Sequence, residues 1–209
     1  MTASNVHLIR HGEVENPYHV VYADLPGYAL SAAGHRQAAA TAEHLADLPV
    51  RHVMSSPLLR ARQTAAAIAE PHGLAVDLDG ALTEWTGSLR WAGVRWDDLE
   101  DVFPGELEAY LDHPADLSFA EESLADCGAR VAAFARAAAA GVADGHIVIV
   151  GHQDPIHAGH IALTGDMPTS YHSTKPNHGA VTTLQPAAGL WHQVEYWEPP
   201  QGAIFPEFD

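Results

Sequence analysis

The sequence predicts an α/β fold: a three-layer sandwich with a mostly parallel central sheet, helices on both faces and a small inserted lid region. Three observations predict it. Short apolar runs of strand length recur along the chain. Segments with helical spacing separate them. The 209 residues are 47% hydrophobic and 18% charged, enough for one sizeable domain with a real core, 1–209.

NVHLI (5–9) reads as a short buried strand, and 12–30, with Gly, Asn, Pro and aromatics but no period, as a loop. Residues 30–48 read as a helix capped by Ser31, with Ala39, Ala42, Leu45 and Leu48 at helical spacing and Pro49 as its stop. RHVMSS (51–56) is a second strand. Residues 57–73 are a second helix, with Pro57 in its first turn and Pro71 and Gly73 at its end. LAVDL (74–78) is a third strand. Residues 79–122 hold three of five tryptophans, Trp85, Trp91 and Trp96. From Asp97 to Glu122 there are ten acids and no Lys or Arg. This stretch is expected to be an inserted, partly helical lid with a solvated acidic surface, its tryptophans holding it to the domain. Residues 122–141 form a long Ala-rich helix and HIVIV (146–150) a β-branched strand. AVTTLQ (180–185) and WHQVEYW (191–197) are later strands joined by a turn, and 198–209 is an irregular tail.

The net charge is −17, which argues against nucleic acid and anionic membranes as partners. Nine of the ten bases are arginine, with Lys175 the exception. An anionic substrate would therefore need several arginines gathered in one pocket. The one cysteine, Cys127, excludes an intramolecular disulfide and reads as a core residue. The N-terminal residues carry no signal-peptide pattern, and no run reaches about 18 apolar residues. A soluble, cytoplasmic protein is expected.

Two strands end alike: 5–9 runs into Arg10-His11-Gly12, and 146–150 into Gly151-His152. Ligands of open parallel sheets bind at the carboxyl ends of strands, so both histidines belong on one rim. A rim histidine can bind metal, act as a base or act as a nucleophile. Arginine is the residue that holds phosphate in a planar, two-pronged, permanently charged grip. Arg10 and Arg60 can both reach this rim. GHQDPIHAGH holds His152, Asp154, His157 and His160, but metal-ligand spacing is lacking. Neither a metal nor a cofactor is expected. There is no GxGxxG and no GxxxxGK[ST], so neither nucleotide-binding loop is supported.

Four segments in order resemble the histidine phosphatase superfamily, the phosphoglycerate mutase-like family. They are LIRHGE (8–13), LSAAGHRQA (30–38), SSPLLRARQTA (55–65) and VIVGHQDPI (148–156). The resemblance spans roughly residues 5–160. It implies that His11 is the nucleophile that becomes phosphorylated. It implies that Arg10, Arg60 and His152 bind the phosphoryl oxygens, and that Glu84, in ALTEWTG, is the general acid. Glu13, next to the site, is the fallback acid, though it is expected rather to orient neighbours through hydrogen bonds. A raised Glu84 pKa is expected, helped by Trp85. Gly12, Asn16, Arg90 and Arg95 are further candidate substrate contacts. Asn16 is displaced from the family's usual loop asparagine by Pro17. The segment TEWTGSLRWAGVRW lacks the ERxYG-like stretch of glycolytic mutases.

The function expected is metal-independent hydrolysis of a small phosphomonoester through phosphohistidine. Mutase-type phosphoryl transfer and a non-catalytic phospho-ligand binder are the alternatives. The expected partner is a small phosphorylated substrate, and a homodimer is left open.

Overall fold

A computed structural model describes residues 5–166, 171–187 and 190–200. Six strands form one sheet: β1 (Asn5–Arg10), β2 (Val50–Ser55), β3 (Val76–Leu78), β4 (His146–Gly151), β5 (Val181–Ala187) and β6 (Leu190–Trp197), in the order β3-β2-β4-β1-β5-β6. The first four are mutually parallel, while β5 runs antiparallel to β1, and β6 to β5. The last two strands are too close in sequence for a crossover and pair as neighbours.

Helices α1 (Ala32–Leu45) and α2 (Leu59–Ala69) cover one face, and α5 (Leu124–Ala140) and α6 (Gln153–Thr164) the other. Strand alternation sorts the core accordingly. Val6, Leu8, Ile147 and Ile149 pack with Val131, Ala135, Ile156 and Leu163. Ile9, Val53, Val148 and Val150 pack with Leu45, Ala61, Ala65 and Ile68. Strands buried on both faces have no polar side, which is why they read as continuous apolar runs.

Several boundaries differ from expectation. The first helix begins at Ala32, after the Ser31 cap whose side chain accepts from Gly34 N, and its last residue is Leu45 rather than 48. Pro57 lies outside α2, before its N-cap Leu58. Pro71 falls in a separate 3₁₀ turn, Glu70–His72, closed by Gly73 at φ 64°. The third strand keeps only three residues, because only Val53, Met54 and Ser55 of β2 offer it partners.

Residues 79–122 fold as 3₁₀ turns and two short helices, α3 (Leu99–Val102) and α4 (Glu106–Asp112). They have their own apolar cluster, in which Trp85, Trp91, Leu99 and Tyr110 pack with Val21, Leu124 and Cys127. Trp85 and Trp91 are fully buried, and each indole N–H is used internally, on Glu122 O at 2.8 Å and on Glu106 Oε2 at 2.8 Å. These two rings hold the segment in place, whereas Trp96 is only partly buried. Among the described residues no helix is long and apolar enough to cross a membrane. The tail beyond residue 200 lies outside the described residues.

Candidate active site

β1 and β4 pair in register from Asn5↔His146 to Arg10↔Gly151, and the His11 backbone N–H then donates to Gly151 O at 3.0 Å. This puts His11 and His152 side by side, with ring centroids 5.2 Å apart. Ser56, just past β2, donates its backbone N–H to Val150 O, and its hydroxyl lies 2.8 Å from His152 Nε2. The three parallel strands therefore deliver His11, His152 and Ser56 to one rim.

The loop after β1 is braced by residues of α1 and α2. Gly12 N donates to Thr64 Oγ1 at 3.1 Å, Glu13 N to Gln37 Oε1 at 2.8 Å, and Leu30 N to Gln63 Oε1 at 2.8 Å. Gly12 and Gly34 let the loop and α1 touch backbone to backbone. A Cβ on Gly12 would lie 2.6 Å from Gly34 O, and one on Gly34 would lie 2.0 Å from Glu13 O. Glu13 itself accepts from the Ser31 hydroxyl at 2.6 Å, an orienting role within the helix cap.

His11 Nδ1 lies 2.7 Å from Gly12 O, which can only accept, so Nδ1 carries the proton. Nε2 accepts from Arg60 Nε at 3.2 Å. The imidazole is thus neutral, with its Nε2 lone pair turned towards the guanidinium. Burial holds its pKa well below the usual histidine value, and the neighbouring Arg60 and Arg10 charges push the same way. Arg60 spans the site: Nη2 donates to Ala23 O at 2.6 Å and lies 3.7 Å from Glu84 Oε2, and its plane stacks 4.6 Å over Tyr22.

Arg10 is held from the far side by a segment that sequence reasoning passed over. It donates through Nη1 to Pro176 O at 3.1 Å and through Nη2 to His178 Nε2 at 2.8 Å. Gly179 N donates to Arg10 O. A guanidinium cannot accept, so His178 must be neutral here, and burial followed by Arg10 and His11 holds its pKa well down. Its partner lies 168 residues away, and no local signal in PNHGAV marks it. The pattern that could have pointed to it is a histidine just before a strand neighbouring β1.

Glu84 Oε2 is 3.7 Å from both Arg60 Nη2 and His152 Nδ1. Burial raises its pKa from 4.5 to about 7, against the pull of Arg60 and with help from Asp154. The Trp85 backbone N–H donates to Glu84 Oε1 at 3.0 Å and, against that burial, favours the carboxylate. His152 Nδ1 is buried and has no hydrogen-bond partner among the described residues.

Three candidate contacts have other partners. Asn16 spends both arms on the Val20 backbone, at 2.9 and 3.1 Å, closing a turn of its own loop. Arg90 pairs with Glu106 at 2.8 Å and stacks on Phe103, and Arg95 pairs with Asp97 at 3.0 Å. Acids of the run that begins at Asp97 hold both arginines at the exposed side of the 79–122 segment. Lys175, the lone lysine, is buried between Asp154, at 2.8 Å, and the Tyr110 ring. His157 Nε2 lies 2.7 Å from Tyr171 O. The Asp154 and His157 side chains are therefore engaged with Tyr110, Lys175 and Tyr171.

Comparison with known proteins agrees with this geometry. The family described as "Histidine phosphatase superfamily (branch 1)" matches residues 6–198. An uncharacterized protein of Mycobacterium tuberculosis is 38% identical over 175 residues, 78% of this chain and 79% of that protein. Phosphoserine phosphatase 1 of Hydrogenobacter thermophilus is 31% identical over 160 residues, 76% of this chain and 75% of the relative. The solved mycobacterial glucosyl-3-phosphoglycerate phosphatase, complexed with VO3, superposes with a TM-score of 0.80 at 27% identity, covering 94% of this chain and 99% of that one. Its match over nearly the whole length, and the rim that two in-register strands build, make this chain a phosphatase of the histidine phosphatase superfamily, branch 1.

Proposed function

We propose that the chain hydrolyses a small phosphomonoester without a metal ion, through a phosphohistidine on His11. The observation that carries this reading is His152 Nδ1, a buried ring nitrogen with no hydrogen-bond partner among the described residues, 3.7 Å from a carboxyl group poised to exchange a proton. An unmet buried polar group costs about 1–3 kcal/mol, and a phosphoryl oxygen placed there meets it.

In the first half-reaction the Nε2 lone pair of His11 attacks phosphorus and the P–O ester bond breaks. The leaving alkoxide takes the proton of Glu84. Arg60 gives up its hydrogen bond to His11 in favour of a phosphoryl oxygen, and Arg10 meets another. In the second half-reaction the Glu84 carboxylate takes a proton from water as that water attacks phosphorus. The P–N bond breaks, and neutral His11 and inorganic phosphate result. Proton transfer of this kind contributes about 10²- to 10⁴-fold, and cations fixed in a dry site contribute at least as much. Two permanently charged guanidiniums supply the charge that a metal would otherwise supply.

The substrate class proposed is a small phosphorylated metabolite whose organic part is an alcohol. The two named relatives are phosphatases for phosphoserine and glucosyl-3-phosphoglycerate, and both esters carry a carboxylate near the phosphate. The test is trapping: incubate with a phosphomonoester and chelator, quench in alkali, and look for acid-labile phosphate on His11. Label that persists with chelator and vanishes in His11→Ala supports the reading. Turnover without label refutes the covalent route.

A further inference from the structure

We infer that Arg130 and Glu122 form a clamp that sets the reach of Glu84, and that both are positioning residues for proton transfer; this rests on the reading above. Arg130 projects from α5, which packs on the same sheet that carries His11 and His152. Its guanidinium meets Glu122 in a two-pronged pair, Nε to Oε1 at 2.7 Å and Nη2 to Oε2 at 3.0 Å. The remaining Nη1 donates to Ala81 O at 2.8 Å and Thr83 O at 3.1 Å. These carbonyls belong to the stretch running into Glu84.

Glu122 holds the stretch leaving Glu84. Its Oε2 accepts from Thr86 N at 3.3 Å, and its carbonyl accepts from the Trp85 indole N–H at 2.8 Å. Glu84 is therefore bracketed by two anchors on its N-terminal side and two on its C-terminal side; three of them end on the Arg130–Glu122 ion pair, and the fourth, from the Trp85 indole, on the Glu122 main-chain carbonyl. Residues 81–86 have local support as well, from Asp79 Oδ1 on Ala81 N at 2.7 Å and from the buried Leu82 and Trp85 side chains, but the clamp ties both flanks of Glu84 to one pair of side chains. The acid sits 3.7 Å from two phosphate-facing groups, and a displacement of about 1 Å at a reacting group can cost about 10²-fold. Lysine cannot replace Arg130, because a single ammonium cannot hold a carboxylate by two prongs and two carbonyls in one plane. Glu122 thereby has a task that sets it apart from the other acids of its run.

The proposal separates from a merely structural role through leaving-group dependence. A misplaced acid harms an ester whose alkoxide needs a proton. It spares one whose leaving group departs unprotonated. First-turnover release would be measured for an alkyl phosphomonoester and for p-nitrophenyl phosphate, with Arg130→Met, Arg130→Lys, Glu122→Gln and the reference Glu84→Gln. Arg130→Met is expected to lose about 10²-fold on the alkyl ester and less than about tenfold on p-nitrophenyl phosphate, mirroring Glu84→Gln, with vanadate affinity kept. Arg130→Lys should fall between. Equal losses on both esters, or none on either, overturn the inference. If Arg130→Met does not fold, Glu122→Gln decides by the same comparison. A wild-type enzyme that forms no phosphohistidine overturns the function proposed above and the clamp with it. One that does, with Glu84→Gln selective and the clamp variants unselective, overturns the clamp alone.

Discussion

Glu84 has to give up a proton in one half of the proposed cycle and take one up in the other. A carboxyl held at about 7 by burial suits both tasks near neutrality. Its protonated form serves the first step, so first-turnover release of an alkyl alcohol is expected to fall as pH rises through about 7, and Glu84→Gln to remove that limb with a loss of about 10²- to 10⁴-fold. The same burial has a thermodynamic sign. A folded-state value above the unfolded one means stability present below pH 4.5 that is lost as pH rises through 7. Glu84→Gln should therefore melt higher than wild type above neutrality, by up to about 3 kcal/mol, a calorimetric measurement. His178 offers a second residue-scale test. Removing an acceptor from a charged donor costs about 1.5–3 kcal/mol, so His178→Ala should weaken vanadate binding roughly 10- to 100-fold. His178→Gln, which restores an acceptor, should recover part of it.

The elements were legible where period and termination agree. β1 and β4 are short apolar runs ended by polar residues, and α1 is announced by Ser31. His11, Arg10, Arg60 and His152, the residues the proposed cycle uses, could be singled out because they lie within or beside motifs on those elements. What escaped depends on side-chain partners that periodicity does not name, whether distant in the chain or within one loop. His178 meets Arg10 from 168 residues away, and the Asn16 turn forms where its loop folds back on Val20. Arg90 and Arg95 carry charge that the neighbouring acids absorb, which composition alone does not reveal. Two tests belong here. A methyl on Gly34 would meet Glu13 O at 2.0 Å, and that backbone cannot swing aside. Gly34→Ala should cost about 1–3 kcal/mol in chemical denaturation and shift the loop carrying Gly12. In the sheet, His7 is buried, with Nδ1 2.9 Å from Thr183 Oγ1 and Nε2 2.7 Å from His146 Nδ1. Burial first, then His146 and His44, lowers its pKa to about 3. The unfolded chain protonates this group near 6.5 and the folded chain resists. Stability is therefore full above 6.5 and declines from there towards pH 3, at about 1.4 kcal/mol per pH unit. His7→Gln should flatten that acid slope.

Across the whole molecule, a net charge of −17 surrounds a centre lined by Arg10 and Arg60. In the proposed function, the field at long range repels a phosphate dianion that these two arginines then attract. Screening acts on the exposed charges first, so kcat/KM for a phosphomonoester should rise as ionic strength goes from about 0.01 to about 0.15 M, checked in steady state with an inert salt. β4 lies at the middle of the parallel strands, between β2 and β1, although it comes more than 135 residues after β1 begins. On the ribosome, then, β1 emerges with its arginine and histidine long before the strand that must slot in beside it exists. Until β4 is made, β1 and β2 have bare facing edges. The emerging chain can neither close its sheet nor grip phosphate, and a truncated product is a liability for aggregation rather than an unregulated enzyme.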